Sequence, residues 1–277
     1  MGCIVIVANR DKEGASALAE AARMEARALG FDAEISTEQG DDLAAYNPEK
    51  VVVFGGDGTV LGAIAGLGAE PPPILAFNLG RLGYLAENPP EKLHEILAQA
   101  LAGKLPVSGR IMVEGTVFSA QREWRDYALN EIVLSHRQNK RQLLLTVRVD
   151  GEELMDLRGD GLIVATPTGS TAYSLSAGGP VASPEMAAIF LTPLCPHQLA
   201  IRPLALNPNE TVGITHNEAD GVVVTADGRF CMSLEKGEEL LVRVSPRTVK
   251  FLYQPRGRYR LLREKLGWGW DERHCKV

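Results

Sequence analysis

The 277-residue chain is predicted to form an α/β domain followed by an all-β sandwich, with a last helix packing back on the first domain. Three observations predict this. Up to about residue 105, short β-branched apolar runs alternate with stretches whose apolar residues recur at helical spacing, the pattern of a parallel sheet covered by helices. Beyond that point, period-two alternation punctuated by turn residues takes over. Near the C-terminus one helical pattern stands alone and needs an apolar surface to cover. The expected domains are residues 1–105, completed by 255–277, and residues 106–254.

Residues 3–8 read as a first buried strand, and 13–29, with Leu18, Ala22, Ala26 and Leu29 on one face, as a helix ending at Gly30. A second strand is expected over Asp32–Ser36 and a third over 51–54. The apolar run Val51-Val52-Val53-Phe54 stops abruptly at Gly55-Gly56-Asp57-Gly58-Thr59, and Val60, Leu61, Ala63, Ile64, Ala65 and Leu67 continue as a helix. After Pro71-Pro72-Pro73 a fourth strand spans Ile74–Phe77. Leu93, Ile96, Leu97, Ala100 and Leu101 form a helical stripe terminated by Gly103. In the second domain Leu143, Leu145, Val147 and Val149 share one face of a strand that turns at Asp150-Gly151. Further strands are expected over 111–119, 129–135, 161–166, 199–206, 210–215, 221–226 and 239–245. The closing helix spans Arg258–Leu266 and stops at Gly267-Trp268.

Bulk properties narrow the class of protein. Hydrophobic content of 45% and charged content of 23% are those of an ordinary soluble domain. A net charge of −6 argues against nucleic-acid and polybasic membrane surfaces. No apolar run approaches the roughly 20 residues of a membrane span. The N-terminus lacks the basic region of a signal peptide, and Ile6 stands where a myristoylation signal needs Ser or Thr. Cys3, Cys195, Cys231 and Cys275 are scattered, with neither disulfide-framework nor zinc spacing, so a reduced cytoplasmic setting is expected.

The glycine turn is the first candidate site. Strand, tight turn and helix N-terminus together make a place where backbone N–H groups can cradle a phosphate, here from Gly55, Gly56, Gly58 and Thr59. It is neither a Walker A loop, lacking the lysine, nor G-x-G-x-x-G, since Leu61 fills the third glycine position. Asp57 is out of place in such a cradle unless a metal neutralises it or it handles a proton. The bland alternative is that Asp57 caps the following helix.

Three further stretches carry chemistry. Asn130-Glu131 opens an apolar strand: an Asn can pair with adenine N6 and N7, and a Glu can accept from a ribose hydroxyl or an amine, although a strand-end turn explains them equally. Arg158 to Pro180 is a buried strand followed by crowded glycines and small hydroxyl residues, which suits a backbone pressed against a polar ligand. Thr225-Ala226-Asp227-Gly228-Arg229 reads first as a type I′ hairpin turn.

In this order, Gly-Gly-Asp-Gly-Thr, Asn-Glu, Thr-Pro-Thr-Gly-Ser-Thr-Ala-Tyr, Asp-Gly and the C-terminal Leu266-Gly267-Trp268 resemble the NAD kinases over nearly the whole chain; lipid kinases and phosphofructokinases resemble it at the glycine turn alone. The resemblance implies a Rossmann-like, phosphofructokinase-like first domain and phosphorylation of the adenosine 2′-hydroxyl of NAD to NADP. ATP or another phosphoryl donor would be used, with Mg²⁺ or another divalent cation carried on the triphosphate and no metal site of the chain's own. It implies Asp57 as proton acceptor with Gly58 beside it, and Asn130 and Glu131 holding the adenosine. Arg158 and Asp160 would lie near the nicotinamide end. Thr168, Thr171, Ala172, Tyr173, Ser174, Leu175 and Ser176 would line the dinucleotide, with a backbone contact from Cys195. Tyr84 stands where Phe is more usual, and Arg229 departs from a common Gln. A homodimer or homotetramer without nucleic-acid or membrane partners is also implied. The alternatives are a lipid or sugar kinase sharing the turn and a non-catalytic NADP-binding regulator.

Overall fold

The computed structural model describes residues 2–37, 40–68, 70–80, 83–119, 123–136, 142–217, 222–254 and 259–268. The chain divides into two compact units, residues 1–108 with 250–277, and residues 109–249.

The first unit contains β1 (Cys3–Ala8), α1 (Ala15–Ala28), β2 (Asp32–Ser36), β3 (Lys50–Gly55), α2 (Asp57–Gly66), β4 (Ile74–Asn78) and α3 (Leu93–Leu101). Its strands run parallel in the order β2-β1-β3-β4, with Val5 opposite Val51 and Val53 opposite Ala76. Such strands, buried on both faces, are continuous apolar runs, and β1 and β3 are buried from their second residue onward. One core gathers Ile4, Ile6, Val52, Leu75, Ile96 and Leu97 around Phe54 and Phe77, whose rings stack at 5.1 Å. Each such side chain contributes about 1.5–3 kcal/mol by leaving water. The buried face of α1 differs from the expected one: it is Ala15, Ala19, Ala22 and Ala26, while Leu18 is half-buried and Leu29 is 48% exposed. Small residues bring this helix close to the sheet, so the alanines, not the leucines, face inward.

The second unit is built from β5 (Val107–Phe118), β6 (Glu123–Ala128), β7 (Glu131–His136), β8 (Leu143–Val149), β9 (Glu152–Gly159), β10 (Gly161–Ala165), α4 (Tyr173–Ser176), β11 (Ile189–Leu194), β12 (Leu204–Leu206), β13 (Val212–His216), β14 (Val222–Ala226), β15 (Arg229–Leu234) and β16 (Leu240–Leu252). One antiparallel sheet has the order β12-β11-β10-β7-β14-β15; in the other, β16, β13, β8 and β9 are neighbours and β5 joins β16 to β6. Ile132, Leu134, Leu162 and Val164 of the first sheet share a core with Val113, Leu145, Val147, Ile214 and Leu240 of the second, which makes a sandwich. The outer face of the first sheet is covered as well: Val133, Ile163, Ala165 and Phe190 pack with Ala182 and Ala188. This is why β10 is buried at every residue.

The final residues of β16 belong to the first unit, where Phe251 pairs parallel with Ile74. The helix α5 (Arg260–Leu266) follows in the same unit and ends at Gly267, whose φ of 67° closes it. It buries no side chain; Leu261, Leu262 and Leu266 are half-buried.

Candidate active site

In the first unit the site grows from the carboxyl ends of β1, β3 and β4, the edge where parallel sheets bind ligands. Gly56 is the extended residue before α2, and Asp57 opens the helix, so its charge lies on the favourable end of the helix dipole. The N-cap residue is Gly56, and Asp57 stands one position inside the helix. Its carboxylate accepts three successive backbone N–H groups of the segment after β4, from Tyr84 to Oδ2 at 2.8 Å and from Leu85 and Ala86 to Oδ1 at 3.0 and 3.1 Å. Gly83 is required by this grip, because a Cβ there would overlap Asp57 Oδ1. A carboxylate offers about four lone-pair positions, so the clamp leaves acceptor capacity for one more partner. Gly56 and Gly58 have ordinary φ angles, and among the described residues a Cβ at either would meet nothing within 4 Å. Their lack of side chains therefore keeps space open beside Asp57.

Tyr84 carries the ammonium of Lys265 from α5 over one ring face, 5.3 Å from the centroid. Burial, and then the neighbouring Asp57, push its phenol above the usual range.

In the second unit a matching grip holds the start of β7. Asp227 and Gly228 have φ of 48° and 76° and form the tight turn between β14 and β15. The Asp227 carboxylate accepts from the backbone N–H of Leu129 at 2.8 Å, Asn130 at 2.8 Å and Glu131 at 3.2 Å. Burial pushes Asp227 above the ordinary carboxyl range, opposed by these three donors and by Arg229. Glu131 is 6% exposed, and its Oε2 is buried without a partner. Burial and the Asp227 charge raise it to about 8.

The hydroxyl-rich stretch is not a plain loop; it forms a 3₁₀ turn at Gly169–Thr171 and then α4, joined by Ala172. Most of its hydroxyls serve the fold. Thr166 Oγ1 donates to Leu129 O at 2.6 Å and accepts from Gly169 N; Ser170 Oγ donates to Pro167 O at 2.7 Å and accepts from Ala182 N. Ser174 is fully buried against Thr192 at 2.8 Å, and Thr171 Oγ1 donates to Thr168 O. Thr168 alone among them has a buried hydroxyl without a partner. Tyr173 and Ser176 are exposed, and Ala172 and Leu175 half-buried. Gly169 is fixed by contact, since a Cβ there would overlap the Asn130 carbonyl.

β10 divides the expected residues. Ala165 pairs with Glu131, so Asn130, Glu131, Thr168 and Asp227 gather at one end. At the other, Gly161 pairs with Leu194, bringing together Arg158, Asp160 and Cys195, all exposed. Asp160 N donates to Leu194 O, and the Cys195 thiol is raised by its hydrogen bond to Asp160. Five residues of antiparallel strand separate the two groups by roughly 14 Å within one chain. Arg229 turns away to Asp126 Oδ1 at 3.5 Å and Tyr127 O at 3.4 Å.

Sequence reasoning missed three residues beside the glycine turn. Asn9, directly after β1, donates to Thr59 Oγ1 at 3.2 Å. Asn78, the last residue of β4, lies opposite Gly55 and has a buried Oδ1 without a partner. Lys12 Nζ approaches Gly80, where a Cβ would lie 3.8 Å from it. The available signal was an Asn closing each of two buried parallel strands. Asp227 was noticed only as a turn residue. Among the described residues no cluster of three or more His, Cys, Asp or Glu side chains is placed to hold a metal ion, and no helix is long and apolar enough to cross a membrane.

Comparison with known proteins agrees along the chain. Residues 5–105 match the ATP-NAD kinase N-terminal domain and residues 129–253 the ATP-NAD kinase C-terminal domain. The chain is 38% identical to the NAD kinase of Koribacter versatilis over 229 residues, 82% of this chain and 80% of the relative. It is 39% identical to that of Syntrophotalea carbinolica over 241 residues, 86% and 84% of the two chains. Among solved structures, yeast NADH kinase complexed with NADH matches in fold with a TM-score of 0.90 at 23% identity, covering 100% of this chain and 90% of that one. An NAD kinase from Archaeoglobus fulgidus in complex with ATP matches with a TM-score of 0.80 at 27% identity, covering 96% and 99%. With both domain matches in sequence order and relatives this similar over four-fifths of their length, the chain belongs to the NAD kinase family.

Proposed function

We propose that the protein transfers the γ-phosphoryl group of ATP to the 2′-hydroxyl of the adenosine ribose of NAD, producing NADP. The observation that carries the residue assignment is the immobilised carboxylate of Asp57, clamped by three N–H groups beside two glycines that leave room for a ligand. A ribose hydroxyl is a far weaker acid than a carboxylic acid, so complete proton removal before attack is steeply uphill. In a loose phosphoryl-transfer transition state the proton leaves late, and an oriented carboxylate suffices. As the ribose oxygen bonds to the γ-phosphorus, the bond to the bridging oxygen breaks, ADP departs and the hydroxyl proton passes to Asp57. In-line positioning supplies on the order of 7–11 kcal/mol, and general-base help about 10²–10⁴-fold.

Gly55, Gly56, Gly58 and Thr59 would receive the triphosphate, with Lys12 close by. Asn130, Glu131 and Thr168 would hold the adenosine. A divalent cation would be carried by the triphosphate oxygens, and no step is assigned to it. Arg158, Asp160 and Cys195 lie at the opposite end of β10 from Asn130 and Glu131, as the two ends of one extended dinucleotide would require. A homodimer or homotetramer in which a second copy helps complete the site is proposed from the resemblance to the family, not from this spacing. Cys3, Cys195 and Cys231 are free thiols, in keeping with a cytoplasmic setting.

Incubation with NAD, ATP and Mg²⁺, read by an NADP-specific dehydrogenase, tests the reading. NADP formation is expected. Turnover on a lipid or sugar alcohol with none on NAD, or NADP binding without turnover, would replace it by one of the two alternatives, which no present observation favours.

A further inference from the structure

Glu131 is built into its place in an unusual way. It is 6% exposed, and Oε2 has no partner. Its own N–H donates to Asp227 Oδ1 at 3.2 Å, so a second carboxyl group lies against it. β10 and β14 carry no titratable side chain; β6 contributes Arg125, Asp126 and Tyr127, and Arg247 of β16 lies over the Tyr127 ring, 4.0 Å from its centroid. Tyr173 of α4 is exposed, and Arg229 of β15 is engaged by Asp126 and the Tyr127 carbonyl. An ionised Glu131 would bury a charged, unpartnered oxygen beside another acid, the costliest arrangement available to a carboxylate. A neutral Glu131 removes that cost and leaves an O–H in search of an acceptor. Thr168, three residues beyond the β10 partner of Glu131, has a second buried hydroxyl lacking a partner. Two unfilled polar atoms at one end of one sheet call for polar ligand atoms.

We propose that Glu131 meets the dinucleotide as a neutral carboxylic acid, donating its hydrogen to a ring nitrogen or ribose oxygen of the adenosine. This rests on the reading of Asn130-Glu131 as the adenosine-holding pair. The raised value of about 8 fits this protonation state at neutral pH.

The test is calorimetric titration of the full chain with NAD, without ATP, between pH 6.5 and 9.5 in two buffers of different ionisation enthalpy. If only the neutral form binds, affinity is expected to be about tenfold weaker at pH 9 than at pH 7, with close to one proton taken up per NAD bound at pH 9. Glu131→Gln, which keeps a donor at every pH, is expected to abolish that uptake and to bind NAD more tightly than wild type at pH 9. Wild-type affinity that is flat or rises with pH, without proton uptake, while Glu131→Gln weakens binding, would overturn the neutral acid and keep the adenosine contact. NAD affinity unchanged in both Glu131→Gln and Glu131→Ala at every pH would remove the contact itself. Proton uptake by the wild-type protein is decisive even if a variant folds poorly.

Discussion

Asp57 in the first unit and Asp227 in the second make the same bond pattern in different surroundings. Each carboxylate collects three consecutive backbone N–H groups, one on one oxygen and two on the other. Asp57 does so from the first turn of a helix, among glycines that leave space beside it. Asp227 does so from a left-handed turn, with Glu131 against it and both acids raised by burial. One hydrogen-bond pattern thus serves two ends. The Asp57 clamp leaves one acceptor position beside glycines, as a carboxylate proposed to receive a substrate proton would need; the Asp227 clamp, with Glu131 beside it, fixes the start of a strand.

The sharpest way to break this contrast is Asp57→Asn. Turnover is expected to fall by about 10²–10⁴, or 3–5 kcal/mol of activation free energy, with a much smaller change in the KM for NAD. Initial rates on NAD would show it, and activity within threefold of wild type would make Asp57 a mere clamp. Asp227→Ala should act the other way, through stability. Stranding the N–H groups of Leu129, Asn130 and Glu131 is expected to outweigh the relief of burying an acid, with a net loss of about 2 kcal/mol in urea unfolding.

The glycines under each clamp sharpen the comparison. Gly169→Ala forces a Cβ into the Asn130 carbonyl and should cost about 1–3 kcal/mol of stability, while Gly83→Ala displaces the flexible end of Asp57 and should lower turnover more than melting temperature. A pH series probes the Glu131–Asp227 pair. A carboxyl raised in the folded state stabilises it fully below the ordinary value near 4.5, and that contribution is lost as pH rises through about 8. Wild-type stability should therefore decline between pH 6 and 9 by about 2–3 kcal/mol, and Glu131→Gln should flatten the curve. The smallest effect is expected for Thr168→Val, within about 0.5 kcal/mol in stability because the hydroxyl has no partner to lose, yet with a several-fold rise in the KM for NAD.

The parallel sheet was legible because β1, β3 and β4 are unbroken apolar runs, and α3 because its stripe is strict. Alternating strands such as β8 and β14 were legible too, but strands opening on charged residues were not. β6, with Glu123, Arg125 and Asp126, reads as polar loop; β9 and β15 begin with charged residues at sheet edges. β11 was missed for a different reason, since Pro193 is its penultimate residue, paired opposite Leu162, where proline normally argues against a strand. Conversely, of the strand expected over 199–206 only Leu204–Leu206 forms. In the site, residue types were visible and their employment was not. Nothing in the letters tells a serine bonded to Thr192, such as Ser174, from a threonine left unbonded, such as Thr168. That distinction needs tertiary contacts, as does the division of the site residues between the two ends of β10.

The pairing of Phe251 with Ile74 bears on how the chain comes into being. The second unit is one unbroken segment and needs no strand from outside it. The first lacks the strand segment that pairs with Ile74 until residue 251 is present, 177 residues later in the chain (251 − 74). Chains truncated at residue 249 should accordingly show a protease-resistant core from the later part of the sequence and a more digestible beginning.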